Sequence, residues 1–183
     1  MKNATFKNGD PIPQLGLGTW RSEPSEAYRA VKEALRIGYR HIDCAAIYGN
    51  EKEVGQALRD SFREGIVRRE ELFVTSKLWN SHHAPQDVEP AIRQTLSDLG
   101  LDYVDLYLIH WPRPDAACEE WKELDRGSWR AMEELYRAGR VRAIGVSNFL
   151  PHHLENLLEV CTVPPMVDQI EFHPGYVQWE TVE

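Results

Sequence analysis

The feature that most constrains this chain is a repeated handover from a short apolar strand to an amphipathic helix, with a polar residue at the end of strand after strand. Ala27, Val31, Ala34 and Leu35 stand at helical spacing with Gly38 as a stop, and Tyr39 to Asp43 reads as the strand that follows. Asn50-x-x-Glu53 has the form of a capping box opening a helix with Val54, Leu58 and Phe62 on one face and Gly65 past its end. Leu72 to Ser76 is a strand by β-propensity, and Val88, Ile92, Leu96 and Leu99 make the next helical stripe, closed by Gly100. Tyr103 to Ile109 has the near-continuous apolar character of a strand buried on both faces. Trp129, Met132, Leu135 and Tyr136 lie on a helix ending at Gly139, and Val141 to Val146 is a strand. Leu154, Leu157 and Leu158 mark a further helix and Met166 to Ile170 a further strand. Only the start breaks the pattern: Asn8-Gly9, between Ala4-Thr5-Phe6 and Ile12, predicts a hairpin with a tight primed turn.

Strand and helix in alternation predict a parallel sheet with helices outside it, either an open doubly wound sheet or a closed (β/α) barrel. The polar residues favour the barrel. Asp43, Lys77, His110, Ser147 with Asn148, and Gln169 with Glu171 fall at the carboxyl ends of five consecutive strands. In a parallel barrel all such ends converge on one face, whereas an open sheet gathers them only near its switch point. The fold class expected is α/β, of the (β/α)8 TIM-barrel type, represented by an N-terminal hairpin and about six β/α units in one domain over residues 1–183.

Composition narrows the partners. Against 29 Asp and Glu stand 21 Lys and Arg, a net charge of −8, which argues against nucleic acid or an anionic membrane as the main partner. No apolar run approaches the roughly 20 residues of a spanning helix, and the first residues lack a signal-peptide core, so a cytoplasmic protein is expected. Cys44, Cys118 and Cys161 give neither a disulfide framework nor a zinc set.

A lysine ending an apolar strand is costly to bury unless a carboxylate answers it, and Asp43 at the equivalent end of the preceding strand is the partner for Lys77. Tyr48 lies five residues beyond Asp43. Its phenol, with an ordinary pKa of about 10, is a poor acid near neutrality unless an adjacent ammonium lowers it. Asp43, Tyr48 and Lys77 together make a proton donor, and His110 is placed to hydrogen-bond a substrate oxygen or share the proton.

The residues around these positions carry a family resemblance. Asp43-Cys44-Ala45-Ala46-Ile47-Tyr48-Gly49-Asn50-Glu51, Thr75-Ser76-Lys77-Leu78-Trp79, Leu108-Ile109-His110-Trp111-Pro112 and Gly145-Val146-Ser147-Asn148-Phe149 resemble successive signatures of the aldo-keto reductases. Gly16-Leu17-Gly18-Thr19-Trp20 near the start and Gln169-Ile170-Glu171-Phe172-His173-Pro174 near the end match as well. The similarity is nearest to aldehyde-reductase-like or bacterial diketogluconate-reductase-like members. It implies a (β/α)8 barrel that binds NADPH and reduces small aldehydes or ketones to alcohols. On the resemblance, Tyr48 is the general acid, Lys77 and Asp43 tune it, and His110 orients the carbonyl. Ser147, Asn148 and Gln169 hold the nicotinamide carboxamide, with Thr19 and Asp43 near the cofactor. Preference for NADPH over NADH rests on the family alone.

Other signals point elsewhere or nowhere. Trp20, Trp79 and Trp111 each follow a strand end and read equally as rim packing or as walls of a pocket for an apolar or aromatic aldehyde. Adjacent histidines rarely point at one ion, so His82-His83 and His152-His153 read as surface rather than metal pairs. Gly16-x-Gly18 is not a dinucleotide fingerprint, because Arg21 stands at the third glycine position and the segment is not expected to open a βαβ unit. Cys44 is expected to be a small buried filler. Asp43 and Gln169 are 126 positions apart over four strand steps, and a closed barrel at that spacing needs about 250 residues. The chain is therefore expected to be incomplete at its C-terminus, with open sheet edges that invite self-association. The alternative function is a truncated or non-catalytic cofactor-binding subunit on the same scaffold.

Overall fold

A computed structural model describes residues 2–182. β1 (Asn3–Thr5) and β2 (Pro11–Pro13) form an antiparallel hairpin. Then β3 (Leu17–Gly18), α1 (Pro24–Arg36), β4 (His41–Asp43), α2 (Glu51–Arg63), β5 (Phe73–Leu78), α3 (Pro85–Leu99) and β6 (Val104–Ile109) follow in turn. α4 (Trp121–Arg137), β7 (Val141–Ser147), α5 (Pro151–Leu158), β8 (Asp168–Gln169) and a terminal turn of helix, α6 (Trp179–Val182), complete the order. β3 to β8 lie side by side in sequence order, every neighbouring pair parallel. The sheet curls so far that Gln169 Nε2 on β8 donates to Asp43 Oδ2 on β4 at 2.8 Å, across the three strands between them.

The curl follows from two different layers of apolar side chains. Val74, Leu78, Tyr107, Ile109, Ile144 and Val146 face outward and pack against Val31, Leu35, Val54, Leu58, Ile92, Trp129 and Met132 of the helices. The alternate positions face inward, where Phe73, Leu106, Leu108 and Ala143 meet Phe6 and Ile12 of the hairpin. The hairpin thus plugs the amino end of the curl. The interior is narrow: a Cβ on Gly145 would stand 2.5 Å from Val167 O and 2.9 Å from Leu108 Cδ2.

Several expectations need correction. The Asn8-Gly9 hairpin is closed by the three-residue loop Lys7-Asn8-Gly9, not a two-residue primed turn. Gly9 N donates to Phe6 O at 3.0 Å, Phe6 N to Asp10 O at 2.9 Å, and Gly9 alone takes positive φ, +92°. β5 extends through Lys77 to Leu78, whereas β4 and β8 run in paired register only over His41–Asp43 and Asp168–Gln169, shorter than the expected Tyr39–Asp43 and Met166–Ile170. β3, α1 and β4 do form a βαβ unit, so the argument against a dinucleotide fingerprint stands on Arg21 alone. Leu158 is exposed, and α5 buries His153, Asn156 and Leu157 instead. His83 is likewise buried, so only His82 and His152 of the two histidine pairs are exposed.

Candidate active site

The carboxyl ends of the strands open into one cavity of about 1110 Å³, lined by Asp43, Tyr48, His110, Ser147, Asn148 and Gln169 and walled by Trp20, Trp79 and Trp111. Arg21, His41, Ile47, Ile170 and Glu171 also line it. Of these, the sequence reading singled out only Glu171. His41 was legible in principle, since it lies two residues before Asp43 and period two turns both inward. Thr19 does not reach the cavity. Its buried hydroxyl lies 3.3 Å from Asp43 O and 3.4 Å from Asn50 Oδ1.

Lys77 is the centre of the polar cluster. Its position on β5 turns it inward, so its stem crosses the buried interior and its Nζ meets the carboxyl ends of β4 and the following loop. Nζ donates to Asp43 Oδ1 at 2.6 Å and to Cys44 O at 3.0 Å, and lies 3.3 Å from the Tyr48 hydroxyl. Burial pulls the ammonium down, but Asp43 and Tyr48 outweigh it and the net direction is up, so Lys77 stays charged. Asp43 is also held by Gln169. Tyr48 ends a short 3-10 turn (Ala46–Tyr48) closed by Gly49 at φ +69°, a left-handed conformation suited to glycine.

The phenol departs from expectation. Lys77 does lower it, but burial is the larger influence and Tyr48 lies above its ordinary pKa. It is a neutral, fully protonated hydroxyl at pH 7, not a half-ionised one. His110 packs edge-on against both Tyr48 and Trp79, with ring centroids 5.7 and 5.2 Å away. Burial, reinforced by Lys77, lowers it to about 4, so the imidazole is neutral. Its Nδ1 is buried without a partner. A stranded donor there would be costly, which puts the ring proton on Nε2.

The amide-bearing residues use their N–H groups within the protein. Asn148, at φ +61° in the turn after β7, donates from Nδ2 to His110 O at 2.9 Å and lies 3.1 Å from Ser147 Oγ. Ser147 Oγ in turn donates to Gln169 O at 2.7 Å. These bonds stitch β6, β7 and β8 together at their carboxyl ends. Asn50 also departs from expectation: it stands at the N-cap of α2 but makes no capping bond. Its Nδ2 instead donates to Thr19 O at 2.9 Å and Ser22 O at 3.0 Å. Asn80, next to Trp79, donates to Pro114 O at 3.0 Å and so ties the Trp79 loop to the one that follows Trp111. Cys44 is a fully buried filler whose thiol burial pushes well up, and its Sγ donates to Thr75 O at 3.0 Å.

With this geometry in view, comparison with known proteins is decisive. The profile of the Aldo/keto reductase family matches residues 14–182. The chain belongs to the aldo/keto reductase family. An aldo/keto reductase of Synechocystis sp. is 49% identical over 97% of this chain and 58% of its own length. The Homo sapiens aldo-keto reductase family 1 member A1 is 50% identical over 95% of this chain and again 58% of its own. The chain thus spans little more than half the length of these curated relatives. Among solved structures, an aldo/keto reductase from Brucella melitensis superposes with a TM-score of 0.90 at 45% identity, covering 99% of this chain and 67% of that one. An aldo-keto reductase complexed with NADPH gives 0.89 at 41% identity, covering 99% of this chain and 58% of that one. No helix among the described residues is long and apolar enough to cross a membrane.

Proposed function

We propose that this aldo/keto reductase chain carries the proton-handling half of an NADPH-dependent reduction of small aldehydes and ketones to alcohols, and that its curled sheet is part of a closed (β/α)8 barrel. One observation carries the reading: a single buried ammonium, Lys77, stands within 3.3 Å of Tyr48 while ion-paired to Asp43, with neutral His110 packed against the same phenol ring.

A carbonyl oxygen entering between Tyr48 and His110 meets two neutral donors, the phenol O–H and the imidazole Nε2–H. Neither carries a charge that would have to be desolvated. As the oxygen turns into an alkoxide, a far stronger base than phenolate, Tyr48 releases its proton despite lying above its ordinary pKa. The phenolate left behind is stabilised by Lys77, and Asp43 keeps that ammonium charged. Trp20, Trp79 and Trp111 suit an apolar or aromatic substituent.

The donor set suits a nicotinamide cofactor, which supplies the hydride when bound. Ser147, Asn148 and Gln169 would hold its carboxamide. Asn148 and Gln169 use their own N–H groups internally and leave carbonyl oxygens free to accept from an incoming amide. The cavity is above the range usual for a single small ligand, leaving room for cofactor and substrate together.

The test is direct. Purified chain, NADPH and an aromatic aldehyde are mixed and the loss of reduced cofactor followed, beside Tyr48→Phe, which keeps the ring packing and removes the proton. The parent chain is expected to turn over about 10²- to 10⁴-fold faster than the variant. Equal rates would refute the reading.

A further inference from the structure

We infer that Asn50 is a positioning residue, whose side-chain amide staples the strained Thr19–Ser22 turn and so fixes the Trp20 wall of the cavity against the loop that carries Tyr48. The inference rests on the proposed carbonyl-reductase reading for its kinetic consequence, but not for its structural one.

Ser22 N donates to Thr19 O at 3.2 Å, closing a four-residue turn with Trp20 and Arg21 at its tip. Arg21 takes φ +60°, a left-handed conformation that disfavours a residue with a Cβ, and its guanidinium stacks on Trp20 at 4.4 Å from the ring centroid. Such a backbone persists only where its surroundings over-determine it. Thr19 is held on Asp43 O by its backbone N–H, and Asn50 bridges the two ends of the turn. Fully buried, it donates one N–H to the carbonyl at the start of the turn and one to the carbonyl at its end. Its Oδ1 lies 3.4 Å from the Thr19 hydroxyl. Trp20 itself is 64% exposed and so has little packing of its own to hold it in place.

The staple comes at the expense of a local rule. Asparagine at an N-cap ordinarily accepts a hydrogen bond from the first turn of its helix, and Asn50 occupies that position without doing so. Departures of this kind concentrate at functional sites. Here Asn50 stands two residues after Tyr48, so the staple couples two consecutive strand-end loops, one bearing a wall and the other the phenol. Tyr48 has a second anchor in Lys77. The start of the Trp20 turn is also held on Asp43 O by Thr19, but Asn50 is the side chain that ties its start to its end.

Asn50→Asp is the informative variant. Aspartate has nearly the same shape and caps helices as well as asparagine does, but it offers no N–H to Thr19 O and Ser22 O and sets a carboxylate against them. Amide hydrogen exchange is measured by mass spectrometry on the parent chain, Asn50→Asp and Asn50→Ala. Exchange over residues 19–22 is expected to speed up about tenfold in both variants, while that over Val54 to Ser61 of α2 stays at the parent's rate. In the same variants KM for an aromatic aldehyde is expected to rise about fivefold with kcat changed less than about twofold.

A capping role predicts the reverse, with Asn50→Asp like the parent and only Asn50→Ala loosening α2, and that result overturns the inference. So does unchanged exchange over residues 19–22 in Asn50→Asp, or a loss confined to kcat. If Asn50→Asp does not accumulate as folded protein, Arg21→Gly is added, because glycine takes φ +60° without strain. The pair is expected to fold, and its failure to do so would overturn the staple. If the parent reduces no aldehyde, the functional reading falls while the exchange measurement still decides the staple.

Discussion

Two ion-paired carboxylates, the half-buried Asp43 at the carboxyl end of the sheet and the buried Asp105 near its amino end, meet the same physical problem with different remainders. Asp105 Oδ2 accepts from Arg69 Nη2 at 2.7 Å and from Val74 N at 2.9 Å, and its Oδ1 lies 3.6 Å from Arg142 Nη1. Both guanidiniums lie over Tyr103, 3.9 and 4.1 Å from the ring centroid on their respective contacts. Every charge there is answered by another part of the fold, and the cluster fastens β5, β6 and β7. Asp43 also holds one cation at close range, Lys77 at 2.6 Å. Around that pair, however, the Tyr48 hydroxyl and the His110 Nε2 have the cavity to face. An ion pair therefore marks a site only when the groups beside it are left with unfinished chemistry. Asp125 is a third case: fully buried, with both oxygens unpartnered and His83 Nδ1 at 3.7 Å.

Breaking the carboxyl-end pair should give the largest effect. Lys77→Met leaves the half-buried Asp43 without its cation and Tyr48 without its stabiliser. Turnover is expected to fall by about 10²-fold or more, and denaturant titration should show a loss of about 3–5 kcal/mol. Asp105→Ala should separate stability from chemistry. It strands Arg69 and costs a comparable 3–5 kcal/mol, roughly, yet the turnover of each folded molecule should stay within about twofold of the parent. A matching loss of turnover would erase the contrast between the two ends.

Asp125 gives the smallest and most pH-dependent effect. Burial raises its carboxyl from 3.8 to about 8, so between those values the folded chain holds a proton that the unfolded chain has released. That contribution to stability is present at acid pH and is lost as pH rises toward 8. Asp125→Asn removes the dependence. Its melting temperature relative to the parent should rise steadily from pH 4 to pH 8, by the equivalent of on the order of 1 kcal/mol or more. A parallel pH profile for the two chains would show that Asp125 titrates normally.

Much of this was legible because periodicity is a local property. Period two in the strands and 3.6 in the helices located the elements and turned Asp43, Lys77, His110, Ser147 and Gln169 toward one face. What misled was competition between partners. Asn50 carries every mark of a cap, but two carbonyls of a turn 28 to 31 residues earlier claim its amide. His83 and His153 look like surface histidines until α4 covers the first, and Trp121 and Phe149 pack on the second. The Tyr48 phenol was expected to be lowered by Lys77, which it is, but no sequence reports how dry the surroundings are.

The sequence by itself determined the alternation, the family and the identity of the groups that meet, because apolar spacing and strand-end chemistry are written along the chain. Only the tertiary structure decided the direction of the Tyr48 shift, the neutral state of His110 and the diversion of Asn50. Each depends on burial and on which of several distant partners comes within hydrogen-bond reach, and those are settled only when the sheet curls and the loops are brought side by side.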